Sequence, residues 1–171
     1  MQLYRACRIC SSYMNSRTDI PGWLACSCGY RKVEIPVITL EMQLMGREKT
    51  HTSELNQEII NNINELLDKV NALLFELGIK KATVSSGWRP PTINANVTNA
   101  AKKSLHMTGK ALDILDDSNQ SLAKLILTRP DLLIKYSLWL EDPAATKGKN
   151  TNWVHLDMGT RRDRALRVFK P

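Results

Sequence analysis

The chain has 171 residues, of which 43% are hydrophobic and 24% charged, and its formal net charge at pH 7 is +7. This composition is ordinary for a globular protein and excludes wholesale disorder, and the length suffices for one sizeable core plus a small appendage. No apolar run approaches the roughly 20 residues needed to cross a bilayer, so we expect no membrane insertion. The positive charge favours an anionic partner, such as nucleic acid, an acidic membrane surface or an anionic cell wall, but it could equally serve only solubility.

The N-terminal part of the chain contains all four cysteines, arranged as the close pairs Cys7-x2-Cys10 and Cys26-x-Cys28. Two such pairs are typical of a zinc ribbon, in which two tight turns present four thiolates to one tetrahedral metal ion. The second pair has one spacer residue where two are usual, and disulfides are the alternative interpretation. We predict a structural zinc ion on these cysteines, in a module of residues 1–35 that serves docking, oligomer contact or nucleic-acid contact.

The N-terminus also lacks the apolar segment of a secretory signal peptide. We therefore expect the protein to be made in a cytoplasm and to reach any other compartment by another route. A reducing cytoplasm disfavours disulfides, which supports the zinc interpretation of the cysteines.

Residues 36–171 are predicted to form one α+β domain, in which helices cover a small antiparallel sheet. Residues 31–50 lead into it as a linker with a short apolar stretch. From Ser53 to Leu77 apolar side chains recur with a 3.6-residue period, which predicts a long amphipathic helix that Gly78 ends. The elements predicted after it are a strand over 80–85, a turn at Gly87, a helix over 94–103, a strand over 110–115, a helix over 121–136 interrupted near Pro130, and strands over 137–142 and 152–158.

Two histidines and one aspartate are the candidate metal ligands: His106, Asp113 and His155. On the predicted strand Asp113 points inward among apolar neighbours, and a buried carboxylate is costly unless it is paired or bound to a metal. Two imidazoles and one carboxylate leave the fourth zinc position open for water, which is the pattern of a catalytic site. From these residues alone, histidines that are satisfied in the core remain the alternative. The third histidine, His51, lies on a polar segment and is predicted to be exposed or to cap the following helix.

The segment Val84–Leu115 and a later W-x-H together resemble the zinc D-alanyl-D-alanine carboxypeptidases and related endolysins of the hedgehog-like fold, the M15-type peptidases. That family shows an S-G-[YW]-R turn, an asparagine, S-x-H-x-x-G-x-A-x-D, and then W-x-H. Every element occurs here in order: Ser86-Gly87-Trp88-Arg89, Asn94, Ser104, His106, Gly109, Ala111, Asp113 and Trp153-Val154-His155. With the long helix before the first motif, the resemblance covers about residues 38–160.

The resemblance implies that His106, Asp113 and His155 bind a catalytic zinc ion. It also implies that Arg89 stabilises the negative charge that develops on the tetrahedral intermediate, a role suited to a fixed guanidinium in a dry site. A purely structural role for Arg89, pairing below the turn, is the alternative.

Two further residues are candidates for binding substrate. Ser104 either positions the substrate or braces the loop of His106. Trp153 and Trp88 could both line the cleft, although core packing is expected for at least one of them.

The chain departs from the family at the position of the general base. Many members have an acidic residue three positions before the last histidine, where this chain has Asn152. Glu141 and Asp142 end the preceding strand, and because adjacent strand residues face opposite sides, only one of them can point at the metal. We predict Glu141 as the base. Asp157 is a further candidate, unless it only pairs with Arg161 or another basic neighbour.

The leading functional hypothesis is a phage-encoded peptidase that cuts peptidoglycan stem peptides, as a carboxypeptidase or endopeptidase, and that is carried on the virion or released at lysis. A non-catalytic zinc protein of the virion, with other virion proteins as partners, is the alternative that Asn152 favours. Nucleic-acid binding is the weakest hypothesis, since the ribbon lacks a basic-aromatic stripe. A basic C-terminal cluster could bind phosphate or teichoic acid or be a solvated tail, and comprises Arg161, Arg162, Arg164, Arg167 and Lys170.

Overall fold

A computed structural model describes residues 15–16, 23–26, 31–33, 36–98, 100–148, 151–161 and 166–171. Three short strands precede the main domain, β1 (Asn15–Ser16), β2 (Trp23–Ala25) and β3 (Arg31–Val33), and they pair antiparallel in that order. Cys26 follows β2 and is buried. The other three cysteines lie outside the described residues, so the zinc ribbon stays a prediction.

The main domain is α+β, which confirms the predicted class. Its elements are α1 (Leu40–Leu44), α2 (Gln57–Glu76), β4 (Val84–Ser86), α3 (Pro91–Asn94), β5 (Ala111–Asp116), α4 (Ser121–Leu127), α5 (Pro130–Lys135), β6 (Trp139–Glu141), β7 (Asn152–Asp157) and β8 (Val168–Phe169). Single 3-10 turns at Arg47–Lys49 and Thr52–Glu54 join α1 to α2.

Helix α2 is the long amphipathic helix that the periodicity predicts. The side chain of Asn56 caps its first turn by accepting the Ile59 N–H at 2.9 Å. Gly78 ends the helix in the left-handed conformation, with φ of 72°, as a glycine beyond the last turn allows. None of the helices in the described part of the chain has the length and apolar character needed to cross a bilayer.

The five strands of the main sheet run in the order β4-β5-β7-β6-β8. All neighbouring pairs are antiparallel except β6 and β8, which are parallel, so the predicted antiparallel sheet has one parallel pair at its edge. Because side chains alternate along a strand, one face of β5 and β7 points into the core, through Leu112, Ile114, Val154 and Leu156, and the opposite face carries Asp113 and His155.

Three local predictions were wrong. The predicted strand over 80–85 begins only at Val84, as β4. The predicted helix over 94–103 is absent from the described residues: the single turn of α3 ends at Asn94, and residues 95–98 and 100–103 form turns and loop. Asparagine and threonine compete for backbone hydrogen bonds in non-helical conformations, and here the Asn94 amide donates to the Ala101 carbonyl at 3.1 Å. The predicted linker contains α1, whose Gln43 is fully buried and donates to the Ala111 carbonyl at 2.9 Å.

Gly87 sits where the turn after β4 meets α1, and a Cβ there would lie 2.0 Å from the backbone oxygen of Gln43. We expect Gly87→Ala to lower the free energy of unfolding by about 1–3 kcal/mol or more, since the obstacle is backbone that cannot move aside cheaply. Gly78→Ala is the control, because nothing lies within 4 Å of its Cβ and only the left-handed φ costs about 1 kcal/mol. Equal losses in urea unfolding would contradict the steric explanation.

Candidate metal centre

The register of the sheet places three polar side chains in one row. Asp113 on β5 is the cross-strand partner of His155 on β7. The pairing of Leu140 with Leu156 brings the next residue of β6, Glu141, beside His155. These three side chains therefore share the face that is turned away from the core.

The structure brings the three predicted metal ligands together. The Nδ1 atom of His155 lies 2.7 Å from Oδ1 of Asp113, and Nε2 of His106 lies 3.5 Å from Oδ2 of Asp113. One ligand atom from each residue can be chosen so that all lie within 4.8 Å of one another. Burial disfavours ionised Asp113, but hydrogen bonds from both histidines outweigh it and hold its pKa below the ordinary range.

Each histidine has a hydrogen-bond partner for the nitrogen that faces away from Asp113. Nδ1 of His106 is 2.9 Å from the Gly87 carbonyl, which can only accept, so Nδ1 carries a proton, and the neutral ring that binds a metal would offer the lone pair of Nε2. Nε2 of His155 is 3.2 Å from Oδ2 of Asp157. Metal-binding histidines ordinarily have such partners, which fix the ring and its tautomer. Two imidazoles and one carboxylate oriented in this way fit zinc.

The turn that carries Arg89 is fastened to helix α1. The Trp88 N–H donates to the Gln43 carbonyl at 2.7 Å, and the guanidinium of Arg47 donates to the Trp88 carbonyl. The Arg89 N–H in turn donates to the carbonyl of His106 at 3.1 Å. This turn therefore holds His106 through one backbone amide, that of Arg89, and one backbone carbonyl, that of Gly87, while it presents Arg89.

Arg89 and Ser104 both line the cleft beside the candidate ligands. Nη2 of Arg89 donates to the Ser104 hydroxyl at 3.1 Å, and Nε of Arg89 is buried without a hydrogen-bond partner. The hydroxyl oxygen of Ser104 also accepts a hydrogen bond from the backbone N–H of His106, at 3.4 Å. Ser104 thus braces both Arg89 and the His106 loop, whether or not it contacts substrate.

Glu141 lies at the site, whereas the adjacent acidic candidate, Asp142, is engaged elsewhere. Its Oε2 is 4.0 Å from Nδ1 of His155. Burial raises the pKa of Glu141, with Asp113 adding to the rise and His155 opposing it. The carboxylate of Asp142 instead accepts the Ala144 N–H at 2.9 Å.

At the position where many family members have the base, the Asn152 amide donates to the Asp117 carbonyl at 2.9 Å. Asp157 is fully buried and forms two hydrogen bonds with Arg161, at 2.5 and 2.7 Å, besides its contact with His155. For Asp157 the sequence predicted either a role as the base or a pairing with Arg161. The structure contains the pairing with Arg161.

The cleft has a volume of about 460 Å³ and opens over His106, Asp113 and His155. Trp153 lines it, whereas Trp88 is fully buried in the core and donates its indole N–H to the Met107 carbonyl at 3.3 Å. The sequence left open which tryptophan lines the cleft. In the structure Trp153 lines it, and Trp88 packs in the core.

Two residues near the site have no counterpart among the sequence-predicted site residues. The sequence predicts Arg161 only as a pairing partner or as part of a basic tail, and it indicates no role at the site for Phe169. The ring of Phe169 lies edge-on to His155, with centroids 6.1 Å apart. The sequence signal that could have indicated Arg161 is the H-x-D spacing in β7. It places Asp157 on the same face as His155, so a residue that pairs with Asp157 lies near the site.

We expect zinc binding to release a proton from His155. Burial alone would lower the pKa of His155, but hydrogen bonds to Asp113 and Asp157 outweigh it and raise that pKa to about 9. The metal-free imidazole is therefore charged at neutral pH, and a metal ligand must be neutral. The apparent zinc affinity should rise by up to about tenfold per pH unit until about pH 9.

Calorimetry in two buffers of different ionisation enthalpy counts the protons released. With the N-terminal cysteines already loaded with zinc, release should be close to one proton per zinc ion bound at the cleft at pH 7 and should fall above pH 9. A heat of binding at pH 7 that does not depend on the buffer contradicts the charged state of His155.

Two histidines and an aspartate beside an open cleft form a candidate site for one metal ion. The sequence model of the Peptidase M15 family matches residues 37–157, which include all three candidate ligands. The chain belongs to the peptidase M15 family. No curated protein matches it.

Proposed function

We propose that this chain is a zinc-dependent peptidase that hydrolyses a peptide bond in peptidoglycan stem peptides, as a carboxypeptidase or endopeptidase. The convergence of His106, Asp113 and His155 at the floor of an open cleft carries this proposal. Membership of the peptidase M15 family supports the hydrolysis of peptide bonds. The substrate class follows from the resemblance to wall peptidases and fits the net charge of +7, since cell walls are anionic.

The side chains around the cleft have distinct roles in this proposal. Zinc, when bound, polarises the scissile carbonyl and makes water acidic enough to attack near neutral pH. Glu141 takes the proton of the attacking water and passes it to the leaving amine, as a general base and then a general acid. Arg89 stabilises the negative charge on the tetrahedral intermediate, and Ser104 fixes the orientation of its guanidinium.

The side walls of the cleft suit an extended peptide that carries negative charge. Trp153 offers an aromatic surface, and Lys103 and Arg89 are cationic. We further propose that the enzyme is phage-encoded and acts on the wall from the virion or after lysis. In that proposal the four N-terminal cysteines hold a second, structural zinc ion, and the N-terminal module contacts other virion proteins.

A non-catalytic zinc protein of the virion is the second candidate, because Asn152 cannot take a proton. The position of Glu141 supports the catalytic proposal instead, since a carboxylate reaches the metal ligands from the neighbouring strand. Hydrolytic activity separates the two candidates.

Purified protein should release peptides from cell walls when loaded with zinc and should lose that activity in the presence of a chelator. Walls of several peptidoglycan types, followed by mass spectrometry of the products, identify the bond that is cut. Folded, zinc-loaded protein that releases nothing from any of them refutes the peptidase proposal in favour of the non-catalytic one.

A further inference from the structure

The Nε2 atom of His155 contacts Asp157, and Asp157 is in turn bound by residues beyond the family match, which ends at residue 157. Nε2 of His155 lies 3.2 Å from Oδ2 of Asp157, within hydrogen-bond distance. Arg161 then holds both oxygens of Asp157, at 2.5 and 2.7 Å, and the backbone N–H of Gly159 donates to Oδ1 at 2.7 Å. Asp157 is fully buried, so its charge is compensated by these donors and by His155.

Strand β8 completes this arrangement. The ring of Phe169 lies 3.6 Å from the guanidinium carbon of Arg161, within range of a cation–π contact. The rings of Phe169 and His155 also form a T-shaped pair. The parallel pairing of β8 with β6 places Phe169 opposite Glu141, and Phe169 is 8% exposed. Residues that follow the family match therefore contact both His155 and its partner Asp157.

We propose that Arg161 and Phe169 are positioning residues of the metal centre. Phe169 holds the guanidinium of Arg161, Arg161 holds the carboxylate of Asp157, and Asp157 orients His155 so that Nδ1 faces the metal position. This inference rests on the proposed zinc site. A carboxylate on Nε2 keeps the proton there and leaves the Nδ1 lone pair for the metal, and losing such a partner ordinarily weakens metal binding.

A role limited to stability predicts a different result from a role in positioning. The chain offers a control in Arg129, which also binds both oxygens of an aspartate, Asp131, here through Nε and Nη2, at 2.9 and 2.8 Å, on the exposed surface. A lysine in place of either arginine keeps the charge but loses the planar fork. Only the pair that touches His155 should affect the metal.

The experiment measures zinc affinity by competition with a chromophoric chelator, and the absorption spectrum of the cobalt-substituted protein. We expect Arg161→Lys and Asp157→Asn to weaken zinc binding by about 10–100-fold and to shift the cobalt spectrum. Phe169→Leu should weaken binding less, by about threefold to tenfold. Arg129→Lys should leave both readouts unchanged. Zinc affinity of Arg161→Lys equal to that of the wild type overturns the inference.

A measurement on the wild type alone keeps the test decisive if a variant fails to fold. Long-range proton–nitrogen NMR of the zinc-loaded protein should show His155 bound through Nδ1 with a proton on Nε2, and His106 in the opposite tautomer. Zinc bound through Nε2 of His155 would overturn the inference.

The experiments distinguish failure of this inference from failure of the proposed peptidase function. A wild type that binds zinc in this geometry but hydrolyses no wall peptide leaves the inference standing and refutes only the peptidase. A wild type that binds no zinc at this site refutes both.

Discussion

Replacing His106 with alanine is expected to abolish zinc binding at the cleft and to lower peptide hydrolysis by at least about 1,000-fold, which corresponds to roughly 4 kcal/mol of transition-state stabilisation. His106 is buried, and its Nε2 faces Asp113 while Gly87 holds its other nitrogen. No other described residue could supply an imidazole in its place, because His51 lies outside the cluster of candidate ligands. The readouts are zinc content after dialysis and peptide release from cell walls.

His51→Ala is the matched control, since it removes the remaining histidine of the chain without touching the cleft. Its zinc content and activity should equal those of the wild type. Because the N-terminal cysteines are predicted to bind a zinc ion of their own, the His106→Ala protein should lose one zinc ion relative to wild type. An unchanged zinc content with unchanged activity would refute the assignment of His106 as a ligand.

Glu141→Gln is expected to lower the turnover number by about 100-fold to 10,000-fold while zinc stays bound. Glutamine has nearly the shape of glutamate but cannot accept the proton of the attacking water. The carboxylate lies near the candidate ligands without being one of the three, so its removal should leave metal affinity nearly unchanged. Turnover and zinc content are measured on the same preparation.

Asp142→Asn provides the control for Glu141, because Asp142 is the adjacent residue of the chain and its side chain points to the Ala144 N–H. An asparagine can still accept that hydrogen bond, so activity should be retained. Full activity in Glu141→Gln would mean that another group acts as the base, although the peptidase itself would stand. Loss of zinc in Glu141→Gln would instead make Glu141 a ligand.

Local sequence features predicted the parts of the fold that depend on a short stretch of chain. The 3.6-residue period and Gly78 predicted α2, and Pro130 predicted the break between α4 and α5. Alternation along β5 predicted that Asp113 points inward among apolar neighbours. In the structure it instead lies on the sheet face opposite the core residues Leu112 and Ile114, where it pairs with His155. Where polar residues compete with the backbone, as at Asn94, the same local approach predicted a helix that is a loop.

By itself the sequence determined the α+β class, and its ordered motif selected the candidate ligands His106, Asp113 and His155. Only the tertiary structure decided which acidic residue faces them. That choice depends on cross-strand register, which places Glu141 beside His155, and register is fixed by hydrogen bonds between distant segments. The same holds for Arg161 and Phe169, whose contacts with the site depend on the parallel pairing of β8 with β6. Periodicity and motif spacing describe one segment at a time, so they cannot report contacts that arise when segments pack together.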